Sequence, residues 1–195
     1  MALTLVKEDG TGKSDANSYA DVADGDAYFE GHLYASAWTA ATPTTKAAAL
    51  VMATRLVDSQ FQFNGYRAHE EQALQWPRER CPDPDRNAVT SSLQSPVLSS
   101  FVANDEVPKG VGEAVCEMAR ELLIADRTAA PPGEGISSEQ SSTSSHDSAG
   151  GSSSQTSVSY SKEDTRPVIS RVAQAMLAKY GTLIQGSGSV RLVRA

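Results

Sequence analysis

The residues able to do chemistry are few and far apart. His32, His69 and His146 are widely separated, so their spacing suggests neither a metal cluster nor a Ser-His-Asp set. His69-Glu70-Glu71 resembles half of a metalloprotease motif, but position 73, where a second histidine would complete the zinc site, is alanine. Asp21, Asp24 and Asp26 lack the oxygen-ligand pattern and closing glutamate of a calcium loop, and are better read as a capped, solvated helix face. Cys81 and Cys116 have no CxxC or zinc-like spacing; they read as reduced thiols, with Cys116 buried and inert on a helix. No G-x-S-x-G, phosphate-binding or dinucleotide glycine pattern occurs. What remains is a set of guanidiniums, Arg67, Arg78, Arg80 and Arg86, around Trp76. Paired with stacking aromatics, such cations bind single-stranded nucleic acid. The alternative, that Trp76 and Arg78 fix a turn and a subunit contact, is favoured here. The expectation is no catalytic set, no cofactor and no metal.

The elements that must hold these residues centre on residues 42 to 80. Thr42 caps and Pro43 opens a helix, because the proline's missing N–H would have no partner in a first turn. Ala49, Met52, Ala53 and Leu56 fall on one stripe, with Leu50 and Val57 widening it to a second seam. Phe61 and Phe63 then alternate with polar residues up to Asn64-Gly65, a turn signal needing positive φ. Leu74 and Trp76 return apolar bulk to the helix, and Pro77 keeps Trp76 out of helical backbone space.

Before this stretch, Ala2 to Val6 reads as an arm or edge strand. A first helix is expected from Val22 to about Leu33, started by the Asp21 and Asp24 capping pair, with Val22, Ala23, Ala27, Tyr28 and His32 facing the core despite Gly25. Trp38 should fill the gap to the long helix. After Arg80, residues 81 to 106 read as a long loop, with Leu93, Val97, Leu98 and Phe101 as scattered apolar positions. A helix from Pro108 to about Asp126 shows Val111, Ala114, Val115, Met118, Leu122 and Ala125 on one face.

From Thr128 the composition turns to serine, glycine and threonine. Such a stretch cannot bury enough surface to offset its ordering entropy, so it is expected to be disordered, with residues 155 to 161 as a weak strand for an external partner. Pro167 opens a last helix with Val168, Ile169, Val172, Ala173, Met176, Leu177 and Tyr180 on one stripe, stopping at Gly181. The predicted fold class is mainly α, a small helical bundle with extended arms and short β elements. Its expected parts are an N-terminal arm (1–17), a helical core (18–127), a Ser/Gly-rich arm (128–164) and a C-terminal helix with a docking tail (165–195).

The chain has 195 residues, 39% hydrophobic and 6% aromatic, which is lean for one compact enzyme. A net charge of -7 and a pI near 4.9 repel nucleic acid and anionic lipid over the molecule as a whole. No signal-peptide pattern and no apolar run near the ~20 residues of a membrane span is visible, so a soluble protein made inside a cell is expected.

Several motifs together resemble the tailed-bacteriophage head-tail connector (adaptor) proteins, some of which carry a DnaT-like single-stranded-DNA-binding label. They are Asn17-Ser18-Tyr19, Asp26-Ala27-Tyr28-Phe29, Lys46, the run Ala49 to Arg55, Gly65, Gln72-x-Leu74-x-Trp76-Pro77-Arg78, Val107-Pro108, Ala114, Cys116-Glu117 and Leu122-Leu123. The resemblance covers residues 17 to 126 and implies a structural virion protein at the head-tail junction, assembled in the host bacterial cytoplasm. It implies a ring of about twelve copies between portal and tail or neck proteins, with genomic DNA passing through the channel unread and no membrane contact. On this reading Trp76 and Arg78, the last helix through Val168, Val172, Met176 and Tyr180, and the tail residues Arg191, Leu192, Val193 and Arg194 contact the portal or a neighbouring subunit. The rival expectation is a DnaT-like module that binds single-stranded DNA.

Overall fold

A computed structural model describes residues 3–83, 101–129, 136–146, 151–160 and 167–184. The chain divides into two units, Met1–Arg127 with Val168–Gln185, and Thr128–Pro167 with Gly186–Ala195.

In the first unit the long helix forms where its signals put it. Here α3 spans Pro43–Gln60, and the Thr42 hydroxyl accepts from the Thr45 N–H. Leu50, Ala53 and Val57 are buried along it. It packs on α4 (Lys109–Ile124), which buries Val111, Ala114, Val115 and Met118, while Leu122 is half-buried and Ala125 exposed. Helix α4 also packs on α5 (Arg171–Leu177), which begins at the Ser170 cap rather than at Pro167. Residues 168 to 184 therefore complete the main core, with Ile169, Ala173 and Leu177 fully buried.

Helix α1 (Val22–Phe29) carries the expected reciprocal cap, Asp24 N–H to Asp21 and Asp21 N–H to Asp24. Its face differs from the expectation. Gly25 and Phe29 are buried and Ala23 and Ala27 exposed, because the Trp38 ring of α2 (Ser36–Thr39) lies against the glycine. A Cβ on Gly25 would sit 2.4 Å from Trp38 Cζ2. In the N-terminal segment Lys7 forms an isolated parallel bridge with Ser18. The buried Glu8 carboxylate accepts from the N–H groups of Gly10, Gly12 and Lys13 at 2.9, 2.9 and 2.8 Å, closing a loop on itself.

The mainly α expectation does not hold. Among the described residues there are five helices and three two-stranded antiparallel ribbons, a mixed architecture. Strand β1 (Phe61–Phe63) pairs with β6 (Gly181–Leu183), so the last helix ends earlier than expected, at Leu177, and Gly181 starts a strand instead of stopping the helix. Only glycine fits there, since a Cβ would meet the Gln62 carbonyl oxygen at 2.2 Å. Strand β2 (Tyr66–Arg67) pairs with β3 (Arg78–Glu79) beyond the Asn64-Gly65 turn, where Gly65 has φ 76°.

The second unit contains β4 (Ile136–His146) paired with β5 (Gly151–Tyr160), in a segment expected to be disordered. The expected disorder rested on apolar surface alone, and of the weak strand expected at 155 to 161, residues 155 to 160 lie in β5. A ladder joins backbone N–H and C=O groups whatever the side chains are.

Candidate nucleic-acid interface

The β2–β3 region is organised from inside by one guanidinium. Arg78 Nε donates to the Asn64 carbonyl (2.8 Å), Nη1 to the Gln75 carbonyl and side-chain oxygen (3.0 Å each), and Nη2 to the carbonyls of Gly65 (2.7 Å) and Phe63 (3.3 Å). A planar fork with five donors suits this role, and a lysine could not reproduce it. Trp76 is 0% exposed, its ring edge-on to Phe63 and Tyr180 at centroid distances of 5.6 and 5.7 Å. Neither residue presents a face to a base, so the stacking patch imagined around them does not exist in that form.

The other residues of the resemblance are framework as well. The Tyr19 hydroxyl donates to Asp58 (2.7 Å) and accepts from the N–H groups of Gln75 (2.9 Å) and Trp76 (3.1 Å), fixing the approach to Pro77. Burial pushes the Asp58 carboxyl up to about 6, against the pull of the Tyr19 hydrogen bond. The buried Gln72 amide donates to the carbonyls of Leu74 and Pro77. Lys46 lies 5.1 Å over Trp38 and pairs with Asp26 at 2.7 Å, while the indole N–H donates to the same carboxylate. Glu117, almost fully buried, accepts from Tyr28 (3.0 Å) and Arg120 (3.1 Å), with His32 Nε2 at 3.1 Å. Burial drives the Cys116 thiol up to about 12, in keeping with an inert core position.

What this framework holds outward is a different set. Tyr66 is 69% exposed and Phe101 38% exposed, and Arg67 and Arg80 are exposed beside them in sequence or across the ribbon. Tyr66, Phe101 and Arg80 line a concavity of about 660 Å³ together with Gln62, Asn64 and Thr182. No carboxylate is among its described lining residues; Glu79, opposite Tyr66 in the ladder, lies outside it. Arg80 has φ 56°, a left-handed backbone that costs a non-glycine residue on the order of 1 kcal/mol. Gly65 permits it, because a Cβ there would sit 2.1 Å from the Glu79 carbonyl oxygen. Two partly exposed aromatic side chains, a guanidinium, two carboxamides and a hydroxyl are the groups that stack a base, pair with a phosphate and hydrogen-bond a base edge.

The family described as "Putative DnaT-like ssDNA binding protein" matches residues 3–195. The chain belongs to that family. No curated protein and no solved structure gives a match. The DnaT-like description agrees with the rival expectation raised by the sequence, although the residues proposed to carry binding have changed. Of the four arginines, Arg67 and Arg80 are exposed, Arg78 is internal and Arg86 lies outside the described residues.

For the other positions assigned to partner contact, Val168 and Met176 are half-buried against the core, Tyr180 is buried, and Val172 is 47% exposed on the outer side of α5. Arg191, Leu192, Val193 and Arg194 lie outside the described residues, as do Leu93, Val97 and Leu98. Among the described residues no group of three or more His, Cys, Asp or Glu could hold a metal ion. No described helix is long and apolar enough to cross a membrane. Sequence reasoning missed Tyr66 and placed Phe101 in a loop without a role. An aromatic-basic pair directly after Asn-Gly was the available signal.

Proposed function

We propose that this chain is a non-catalytic module that contacts single-stranded DNA through the concavity between Tyr66, Arg80 and Phe101. The observation that carries the reading is the joint exposure of two aromatic rings and two guanidiniums on a turn held from inside by Arg78. A rigid turn spends little entropy on ordering when a strand docks, and family membership supports the same chemistry. Fluorescence anisotropy of a short labelled oligothymidine at low salt tests it. Tyr66→Ala should weaken binding roughly tenfold, since one base-aromatic stack is worth about 1–3 kcal/mol. Unchanged affinity in both Tyr66→Ala and Arg80→Ala, or no binding by the parent protein, ends this reading.

A second reading, a head-tail connector ring between portal and tail, draws on the acidic charge of -7, which would let DNA pass without retention. Electron microscopy of the purified protein mixed with a portal tests this reading, and a variant lacking residues 186–195 should fail to dock. Normal docking by that truncated chain removes the tail from the assignment.

A further inference from the structure

The β4–β5 ribbon is a half-finished sheet. Its strands of 11 and 10 residues run in continuous register from Ser138↔Ser159 to His146↔Gly151. Successive strand residues point to opposite faces, and Thr156, Ser157, Val158 and Ser159 are all exposed, so neither face of β5 is covered along this run. A two-stranded ribbon with both faces wet is marginal in water; a third strand or a packed face is what normally sustains one.

Its edges are equally open in sequence terms. Monomeric proteins guard edge strands with lysine, proline or inward-pointing charge. Neither strand contains Lys, Arg, Asp or Pro, and the one register irregularity lies at its end, between Ile136 and Ser138. The only side chains there that ionise near neutral pH are Glu139 and His146. In a chain of net charge -7, this is a stretch on which two copies can approach with little repulsion. Serine and threonine dominate both strands, so what the ribbon mainly offers a partner is its backbone, and a second copy offers the same in return.

We infer that the β4–β5 ribbon is a self-assembly element, joining the β5 edge of one copy to the β4 edge of the next in an intermolecular antiparallel sheet. Because β4 and β5 run in opposite directions, copies related by rotation with their ribbons side by side give antiparallel pairing at every junction. Such a head-to-tail contact closes into a barrel when the rotation closes, and closure removes the open edges. About five outward-facing residues on each strand would gain backbone partners. This inference does not rest on DNA contact, and it names the joining surface that the connector reading leaves open.

Sedimentation equilibrium of the full chain, with no DNA or portal present, reads the assembly directly. The parent protein should form oligomers at micromolar concentration. Replacing residues 136–160 by a Gly/Ser segment of equal length should return it to monomer with the unfolding transition of the helical unit unchanged. Thr143→Pro, which takes one backbone donor out of β4, should weaken association about tenfold. A parent protein that stays monomeric at every concentration overturns the inference. An oligomer that survives both changes overturns it too, by placing the contact elsewhere.

Discussion

Asp58 shows how one residue ties the turn to the rest of the fold. Its carboxylate receives the Tyr19 hydroxyl and the Gln75 N–H, and burial sets its pKa at about 6, above the ~3.9 of an unfolded chain. A carboxyl whose folded pKa is raised contributes stability that is complete below about pH 4 and is lost as pH rises through 6. Asp26 behaves oppositely. The hydrogen bond from Lys46 holds it below the usual carboxylate range, so its contribution is present above about pH 4 and lost in acid. The two windows do not overlap. Urea denaturation across pH 4 to 7 should therefore show a decline in stability that Asp58→Asn abolishes, while Asp26→Asn leaves it in place. The slope is the readout, because the amide introduced by Asp58→Asn would set a donor against the Gln75 N–H and lower stability at every pH.

At the scale of elements, Gly25 decides how α1 meets the body. Alanine in a helix interior gains about 1 kcal/mol over glycine. Against this, the added methyl would stand 2.4 Å from Trp38 Cζ2, and overfilling a packed contact costs about 1–3 kcal/mol. The steric term should win. Gly25→Ala is expected to lower stability by about 1 kcal/mol by thermal or urea unfolding, whereas Gly31→Ala, with nothing within 4 Å, should be near neutral. The same residue explains what the sequence could and could not disclose. Helix α3 was legible because Thr42, Pro43 and the apolar stripe are local signals, and the Asp21 and Asp24 cap was legible for the same reason. The face of α1 was not, since a buried glycine leaves no mark in hydrophobic periodicity. The β1–β6 pair joins segments more than a hundred residues apart, and no local pattern announces it. Of the serine ribbon only residues 155 to 161 were read as a weak strand, because its order comes from backbone pairing. At the candidate site, the turn at Asn64-Gly65 was readable from composition. Arg78 as a residue that fixes this turn was the reading favoured from sequence, and its hydrogen bonds to the carbonyls of Asn64, Phe63 and Gly65 agree with it.

For the whole molecule, charge separates the two functional readings. A binder that tracks single-stranded DNA along a basic groove neutralises many phosphates, and each one steepens the fall of affinity with salt by about 0.7 in log-log slope. Here the concavity and the adjacent strand offer Arg67 and Arg80, within a chain carrying -7. Two phosphate contacts predict a slope of about -1.4, with stacking on Tyr66 supplying salt-independent affinity. Arg80→Ala should reduce the slope to about -0.7, and Tyr66→Ala should lower affinity at every salt concentration without changing it. A slope of about -4 or steeper would mean roughly six or more phosphates, which this surface cannot supply, and would move the contact to other cations of the chain. Absence of binding even at low salt would leave an acidic protein that lets DNA pass, the behaviour a channel wall requires.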